Sequence, residues 1–271
     1  MDALQAIVLG VVQGLTEFLP ISSTAHLRIV PAFFGWDDPG AAFTAVVQLG
    51  TMAAVLLYFR ADLLRIVRAW LVSLRRPELR GELDARMGWY ILLGTVPIAI
   101  LGYVFSDQIE SGARDLYLIG AALIGFGVIL AYADINAACE RSLTDIRRRD
   151  GVLIGLAQAF SLIPGVSRSG ATITAGLLLR FDRAPAARYS FLLSVPAVVL
   201  SGLFELRKIG DGNGAGAVPT VIATVLAFVV GYASIAFLLR WIAGHSMAVF
   251  VAYRVLLGVL VLALAAAGVI D

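Results

Sequence analysis

The sequence predicts an all-α integral membrane protein, with six transmembrane helices and two re-entrant helical hairpins arranged as an inverted-topology repeat. Composition, the lengths of the apolar runs and a duplicated polar interruption carry that reading. Of the 271 residues 60% are hydrophobic and only 15% are charged, and the mean hydropathy is +0.89, far from the balance of a soluble domain. The runs 41–59, 88–106, 116–134, 189–206, 218–238 and 248–268 are each long enough to cross a hydrocarbon core of roughly 30 Å at about 1.5 Å per residue. The segments 4–19, 24–35, 151–163 and 169–181 are too short to cross alone and read as half-helices.

The first hairpin, 4–35, contains Gly10-Val-Val-Gln13-Gly-Leu-Thr-Glu17-Phe-Leu-Pro20-Ile-Ser22-Ser23-Thr24-Ala-His26. The second, 151–181, contains Gly155-Leu-Ala-Gln158-Ala-Phe-Ser-Leu-Ile-Pro164-Gly165-Val-Ser167-Arg168-Ser169-Gly170-Ala-Thr172. With one offset Gly10 falls on Gly155, Gln13 on Gln158 and Ser22-Ser23-Thr24 on Ser167-Arg168-Ser169, the prolines missing by one. Each is an apolar half-helix ending at a proline, then hydroxyl residues, then a second half-helix. Paired interrupted segments at matching places in two halves point to a buried site. Two kinked spanning helices are the competing description.

Arginines orient the spans. With loop 60–87 cytoplasmic, Arg60, Arg65, Arg68, Arg75, Arg76, Arg80 and Arg86 lie inside, joined by Arg141, Arg147, Arg148 and Arg149 of linker 135–150 and by Arg180, Arg183, Arg188 and Arg240. Only Arg28, Arg114, Arg207 and Lys208 fall outside, leaving Arg168 and Arg254 within the membrane, which is the positive-inside bias. The hairpins then enter from opposite faces, so 1–134 and 151–271, each a hairpin plus three spans, form inverted repeats within one membrane domain. Trp89-Tyr-Ile-Leu-Leu-Gly94 echoes Tyr253-Arg-Val-Leu-Leu-Gly258 in support. Both termini are expected outside, and Met1-Asp2 lacks the basic start of a signal peptide.

The net charge of +2 comes mostly from the cytoplasmic arginines and reports topology, not nucleic-acid binding. Cys139 stands alone, which excludes an internal disulfide and a multi-thiolate zinc site. The glycine-rich 207–217 stretch reads as an outer loop. No P-loop, dinucleotide fingerprint or zinc-protease motif is present.

Ionisable residues at membrane depth are costly and functional by default. Here they are Glu17, His26, Arg168 and Arg254. Ser22 or Ser23 and Ser167 or Ser169 suit the N-caps of the returning half-helices. Two such helix starts meeting near the midplane bind an anion through unpaired N–H groups and converging dipole ends. Gly165 and Gly170 permit close backbone approach, and the planar fork of Arg168 suits phosphate. The ligand suggested is a phosphate or diphosphate. Gln13 and Glu17, four apart, share one helix face, and a carboxylate with an amide oxygen can hold a hard cation such as Mg²⁺. Ser23 and His26, three apart, can serve as nucleophile and base in either order. The opposing structural readings are an Arg168–Glu17 ion pair, serines acting as caps alone and an interfacial His26; Arg254, toward the cytoplasmic end of the 248–268 helix, is expected to snorkel rather than to catalyse.

The two motifs, with Phe43-Thr-Ala-Val-Val-Gln48-Leu-Gly50 and Phe191-Leu-Leu-Ser-Val-Pro196, closely resemble the undecaprenyl-diphosphate phosphatase family of bacteria, the bacitracin-resistance type. The likeness covers nearly the whole chain. It implies an inner-membrane enzyme that hydrolyses undecaprenyl diphosphate to undecaprenyl phosphate and inorganic phosphate for cell-wall synthesis. The site would open to the outer face and use a divalent cation, Mg²⁺ or Ca²⁺. By that resemblance Glu17, Ser23, His26 and Arg168 are catalytic, and Gln13 and Glu17 hold the metal. Ser22, Thr24, Gly165, Ser167, Ser169, Gly170 and Thr172 bind substrate. The position of Gln13 is often glutamate in the family. Partners are the polyprenyl diphosphate and membrane lipids, with a homodimer admissible. A polyprenyl-phosphate transporter using the same anion site is the rival function. A type 2 phosphatidic acid phosphatase is disfavoured because Ser167-Arg168 is followed by no histidine until His245.

Overall fold

The computed structural model describes residues 1–106, 108–109, 115–205 and 216–270, without the side chains of 41–42 and 201–205. Most of the glycine-rich stretch expected at 207–217, together with Arg114, Arg207 and Lys208, lies outside the described residues. Among those described the chain is all-helical: it has eleven α-helices and no strand beyond one isolated bridge between Arg141 and Phe181. We number them α1 (Ala3–Phe18), α2 (Ser23–Phe34), α3 (Gly40–Tyr58), α4 (Arg60–Arg75), α5 (Leu83–Val104), α6 (Leu116–Ile135), α7 (Arg148–Ala159), α8 (Arg168–Leu178), α9 (Arg183–Glu205), α10 (Ala217–Trp241) and α11 (Ala248–Ala266).

Helices α5, α6, α10 and α11 are long and apolar enough to cross a membrane, and α3 with α4 forms a pair bent by 73°. The protein is a multi-pass membrane protein. The expected spans 88–106, 116–134, 218–238 and 248–268 fall on those four helices, while 41–59 falls on α3 and 189–206 on α9. The 60–87 segment, expected as a loop, is instead largely the amphipathic helix α4. Leu64, Val67, Leu71 and Leu74 are exposed along it, at a spacing that puts them on one side, with Arg65 and Arg68 between them and Arg75 closing the helix.

The four short helices α1, α2, α7 and α8 have 16, 12, 12 and 11 residues, each below a full crossing. Their boundaries follow from local chemistry. Asp2 caps α1 in a reciprocal box with Gln5, and the chain turns extended at Leu19 because the next residue is Pro20. Ser22 caps α2, which stops at the left-handed Gly35. Asp150 closes a box onto Arg147 at the start of α7, and Ser167 caps α8.

Two helix seams position the hairpins. Helix α1 packs along α10, and α7 along α5. At Gly10 an added Cβ would lie 2.5 Å from the Ala223 carbonyl oxygen, and at Gly155 it would fall inside the backbone of Gly94. Backbone lies directly on backbone at both seams, so only glycine fits. An aromatic core of Phe18, Phe59 and Phe191 then packs the first hairpin against α9, with Phe18 edge-on to Phe191 at 5.5 Å between centroids.

Candidate active site

The two hairpin tips meet around a cavity of about 460 Å³. The first tip supplies Glu17, Ser22, Ser23 and Thr24, and the second supplies Ser161 to Gly165, Ser167 and Arg168. Gln48 of α3 closes one side. An apolar arm, formed by Ile98, Ala99 and Gly102 of α5 with Ala197 and Leu200 of α9, runs away from the polar end.

The tips share one backbone geometry. Ser22 has φ 73° and ψ 100°, and Ser167 has φ 72° and ψ 119°. Non-glycine residues there are strained by about 1–3 kcal/mol each and persist only where the surroundings over-determine them. The turn brings each hydroxyl under its own helix: Ser22 Oγ accepts from Ala25 N at 3.5 Å, and Ser167 Oγ from Gly170 N at 3.1 Å. Helix geometry leaves the N–H groups of Ser23 and Thr24, and of Arg168 and Ser169, without intrahelical acceptors. Three of those four residues line the cavity. Such paired helix starts favour an anion.

Glu17 is the hub of the polar end. Its Oε2 accepts from the Ser23 hydroxyl at 2.6 Å and from Gln13 Nε2 at 3.0 Å. Its Oε1 accepts from Arg168 Nη2 and, at 3.4 Å, from Gln48 Nε2. The carboxylate side chain is 7% exposed. Four donors therefore fill the roughly four lone-pair directions an ionised carboxylate offers. A carboxylate only accepts, so Gln13 must present its amide nitrogen to Glu17, and its Oε1 is buried without a hydrogen-bond partner.

That arrangement does not fit a resident cation on Gln13 and Glu17. The amide oxygen a hard cation needs is turned away, and the carboxylate is already paired with a guanidinium. Among the described residues no group of three or more His, Cys, Asp or Glu gathers that could hold a metal.

His26 is placed apart from Ser23. Its Nδ1 faces the Ser22 carbonyl at 2.7 Å, so that nitrogen carries the proton, and its Nε2 lies 2.7 Å from the Tyr253 hydroxyl, which then donates. The two rings stack at 5.6 Å. His26 is 5% exposed and stands behind the tip, outside the cavity lining. Ser169, Gly170 and Thr172 also sit behind the surface. Ser169 Oγ donates to the Leu19 carbonyl at 3.1 Å, tying one tip to the other. Thr172 Oγ1 donates to the Arg168 carbonyl at 2.8 Å and meets Ser190 Oγ at 2.5 Å. Gly170 leaves room for Arg254, whose Nη1 would lie 2.8 Å from an added Cβ.

Arg254 departs most from expectation. It is 0% exposed, so it does not snorkel. Nη1 donates to the Pro20 carbonyl at 3.0 Å, Nη2 to Gly165 and Val166 at 3.1 and 3.0 Å, and Nε to Leu123 at 3.4 Å. One guanidinium thus holds both tips and braces them on α6. The signal was present in the sequence as an arginine inside an apolar run, a functional position by default. Gln48 and Thr51, which reach Glu17 and Gln13 from α3, carried no such signal.

Comparisons with known proteins show the family of the chain. The family described as "Bacitracin resistance protein BacA" matches residues 6–260. An undecaprenyl-diphosphatase of Nocardioides sp. is 58% identical over 271 residues, covering 100% of this chain and 99% of that protein. Undecaprenyl-diphosphatases of Thermobifida fusca and Mycolicibacterium smegmatis are 53% and 52% identical over 100% of this chain, and over 92% and 99% of their own lengths. On these matches, which run through both hairpins and the helices that brace them, the chain belongs to the bacitracin resistance protein BacA family.

Proposed function

We propose that this protein hydrolyses undecaprenyl diphosphate to undecaprenyl phosphate and inorganic phosphate, recycling the lipid carrier of peptidoglycan synthesis. The observation that carries the chemistry is the 2.6 Å bond from the Ser23 hydroxyl to Glu17 at the starts of two helices. In the reading we favour, Ser23 Oγ attacks the terminal phosphorus and passes its proton to Glu17. The bond from that phosphorus to the bridging oxygen breaks, and its electron pair leaves with undecaprenyl phosphate. Water then attacks the phosphoserine, the bond from phosphorus to the serine oxygen breaks as Glu17 returns its proton to that oxygen, and inorganic phosphate departs with the hydrogens of the water, losing one to solvent. Arg168 and the N–H groups of the two helix starts face the phosphoryl oxygens and offset the charge gathering there. The apolar arm between α5 and α9 takes the first isoprene units.

The same reading places the enzyme in the bacterial inner membrane, with six spans, two re-entrant hairpins and a site open to the outer face. It treats 1–134 and 151–271 as inverted repeats joined by 135–150. The matching serine caps and the matching glycine seams at Gly10 and Gly155 support that division. A lipid-phosphate carrier needs no hydroxyl bonded to a carboxylate, so the Ser23–Glu17 pair favours hydrolysis over transport alone.

The test is phosphate release from a polyprenyl diphosphate by detergent-purified protein, beside Ser23→Ala, Arg168→Ala and His26→Ala. We expect Ser23→Ala to lose at least about 10³-fold in kcat, as the loss of a nucleophile does. Intact protein that releases no phosphate but moves a lipid phosphate across vesicles would replace hydrolysis with transport.

A further inference from the structure

We infer that the divalent cation is not a resident of this protein but enters bound to the diphosphate, and that Arg168 leaves Glu17 only when that complex arrives. The inference rests on the phosphatase reading above and concerns how the same site takes its substrate.

The donor geometry around Glu17 is the first support. Arg168 and Gln48 occupy Oε1, and Ser23 and Gln13 occupy Oε2. A cation approaching the protein alone must displace one of these donors: Ser23, Gln48 and Arg168 would be turned into the cavity they line, losing a charge-assisted bond, and Gln13, which is off the lining, would be left buried and unpaired. Gln13 is 1% exposed and Arg168 has a side chain 15% exposed. Leaving such groups unpaired costs about 1–3 kcal/mol each, more when charged. Gln13 returns nothing to the cation, because its amide nitrogen faces Glu17.

The charge balance is the second support. Glu17 and Arg168 neutralise one another, and Arg254 stands behind the tips with only carbonyl partners. The substrate-free site therefore carries one uncompensated positive charge and repels a second cation. A lipid diphosphate reverses the sign. It brings more negative charge than Arg254 offsets, and it supplies the hard oxygens that Mg²⁺ or Ca²⁺ prefers. Arg168 then has a stronger bidentate partner in phosphate than the carboxylate it leaves. Glutamate in place of Gln13 would break this arrangement, because a second carboxylate beside Glu17 both repels it and attracts a cation.

The experiment is thermal unfolding of the detergent-solubilised full chain, titrated with Ca²⁺ alone, with inorganic diphosphate alone, and with both. Parent, Gln13→Glu and Glu17→Gln are compared, and phosphate release from a polyprenyl diphosphate is assayed on the same parent preparation. For the parent we expect no Ca²⁺ stabilisation without diphosphate and a saturable one with it. We expect Gln13→Glu to bind Ca²⁺ alone at least roughly tenfold more tightly than the parent, since calcium affinity follows the charge count of the ligand set. If Gln13→Glu does not fold, the parent arms carry the test unaided. A saturable Ca²⁺ effect on the diphosphate-free parent that Glu17→Gln abolishes would overturn the inference; one that survives Glu17→Gln lies elsewhere and leaves Glu17 closed, as inferred. Absence of Ca²⁺ stabilisation even with diphosphate would also overturn it. Failure of the phosphatase reading shows separately, as a parent that binds diphosphate and releases no phosphate from the lipid.

Discussion

Replacing Arg254 by lysine isolates what its fork does, because the charge, and with it the cost of burying a charge, stays nearly the same. The guanidinium reaches Pro20, Gly165, Val166 and Leu123 at 3.0–3.4 Å from a side chain that is fully enclosed. An ammonium is a compact donor that cannot span carbonyls on two hairpin tips and a third helix at once. At least two of the four bonds are lost, and hydrogen bonds to a charged group contribute about 1.5–3 kcal/mol each. The expected loss is therefore about 3–6 kcal/mol. For a chain of this size, at about 2–4 °C per kcal/mol, that lowers the unfolding midpoint by roughly 6–24 °C. The assay pairs thermal unfolding in detergent with phosphate release measured well below the mutant's midpoint. Loosened tips separate Ser23 from the second helix start, so kcat should fall by more than about 100-fold even where the protein stays folded, as misplacement of a catalytic group does. Arg254→Lys with the parent's midpoint and the parent's kcat would refute the clamp.

Three further outcomes follow from the geometry. Gly155→Ala forces a Cβ into the Gly94 backbone and should destabilise by at least about 1–3 kcal/mol, whereas Gly125→Ala on α6, with nothing within 4 Å, should stabilise by roughly 0.5–1 kcal/mol; equal midpoints for the two would contradict the seam. Tyr253→Phe removes the donor to His26 Nε2 and should lower kcat no more than about tenfold, equivalent to 1.4 kcal/mol; a loss as deep as that of Ser23→Ala would move His26 into the chemistry. Gly102→Trp fills the apolar arm beside Leu162, so KM for a long polyprenyl diphosphate should rise about tenfold or more, the scale of losing a few buried methylenes, while a short-chain analogue is spared.

The hairpin tips were legible because proline followed by serines is a local instruction: it ends one helix and caps the next, whatever surrounds it. The lengths of α1, α2, α7 and α8 and the gathering of Glu17, Ser23 and Arg168 around one cavity follow from that. Helix α4 was hidden by its arginines, although Leu64, Val67, Leu71 and Leu74 keep a helical spacing that charge count alone obscures. The role of Arg254 was not legible in detail because its acceptors are backbone carbonyls. Every residue carries one, so no side-chain pattern announces which will converge. The partners of His26 were not legible for a related reason: a three-residue spacing fixes the helix face but not the rotamer, and Tyr253 lies 227 residues away in sequence.

The glycine seams also govern traffic through the site. Where Gly10 lies on Ala223 and Gly155 on Gly94, neither hairpin can slide along its neighbour without driving main chain into main chain. The floor of the site is thus a fixed jaw. Rocking of the hairpins along these seams is therefore opposed, and the α5–α9 wall, lined by Gly102 and Ala197, is the one beside the site that carries small side chains. A substrate tethered in one leaflet would then enter sideways, headgroup first, without its tail ever leaving the bilayer.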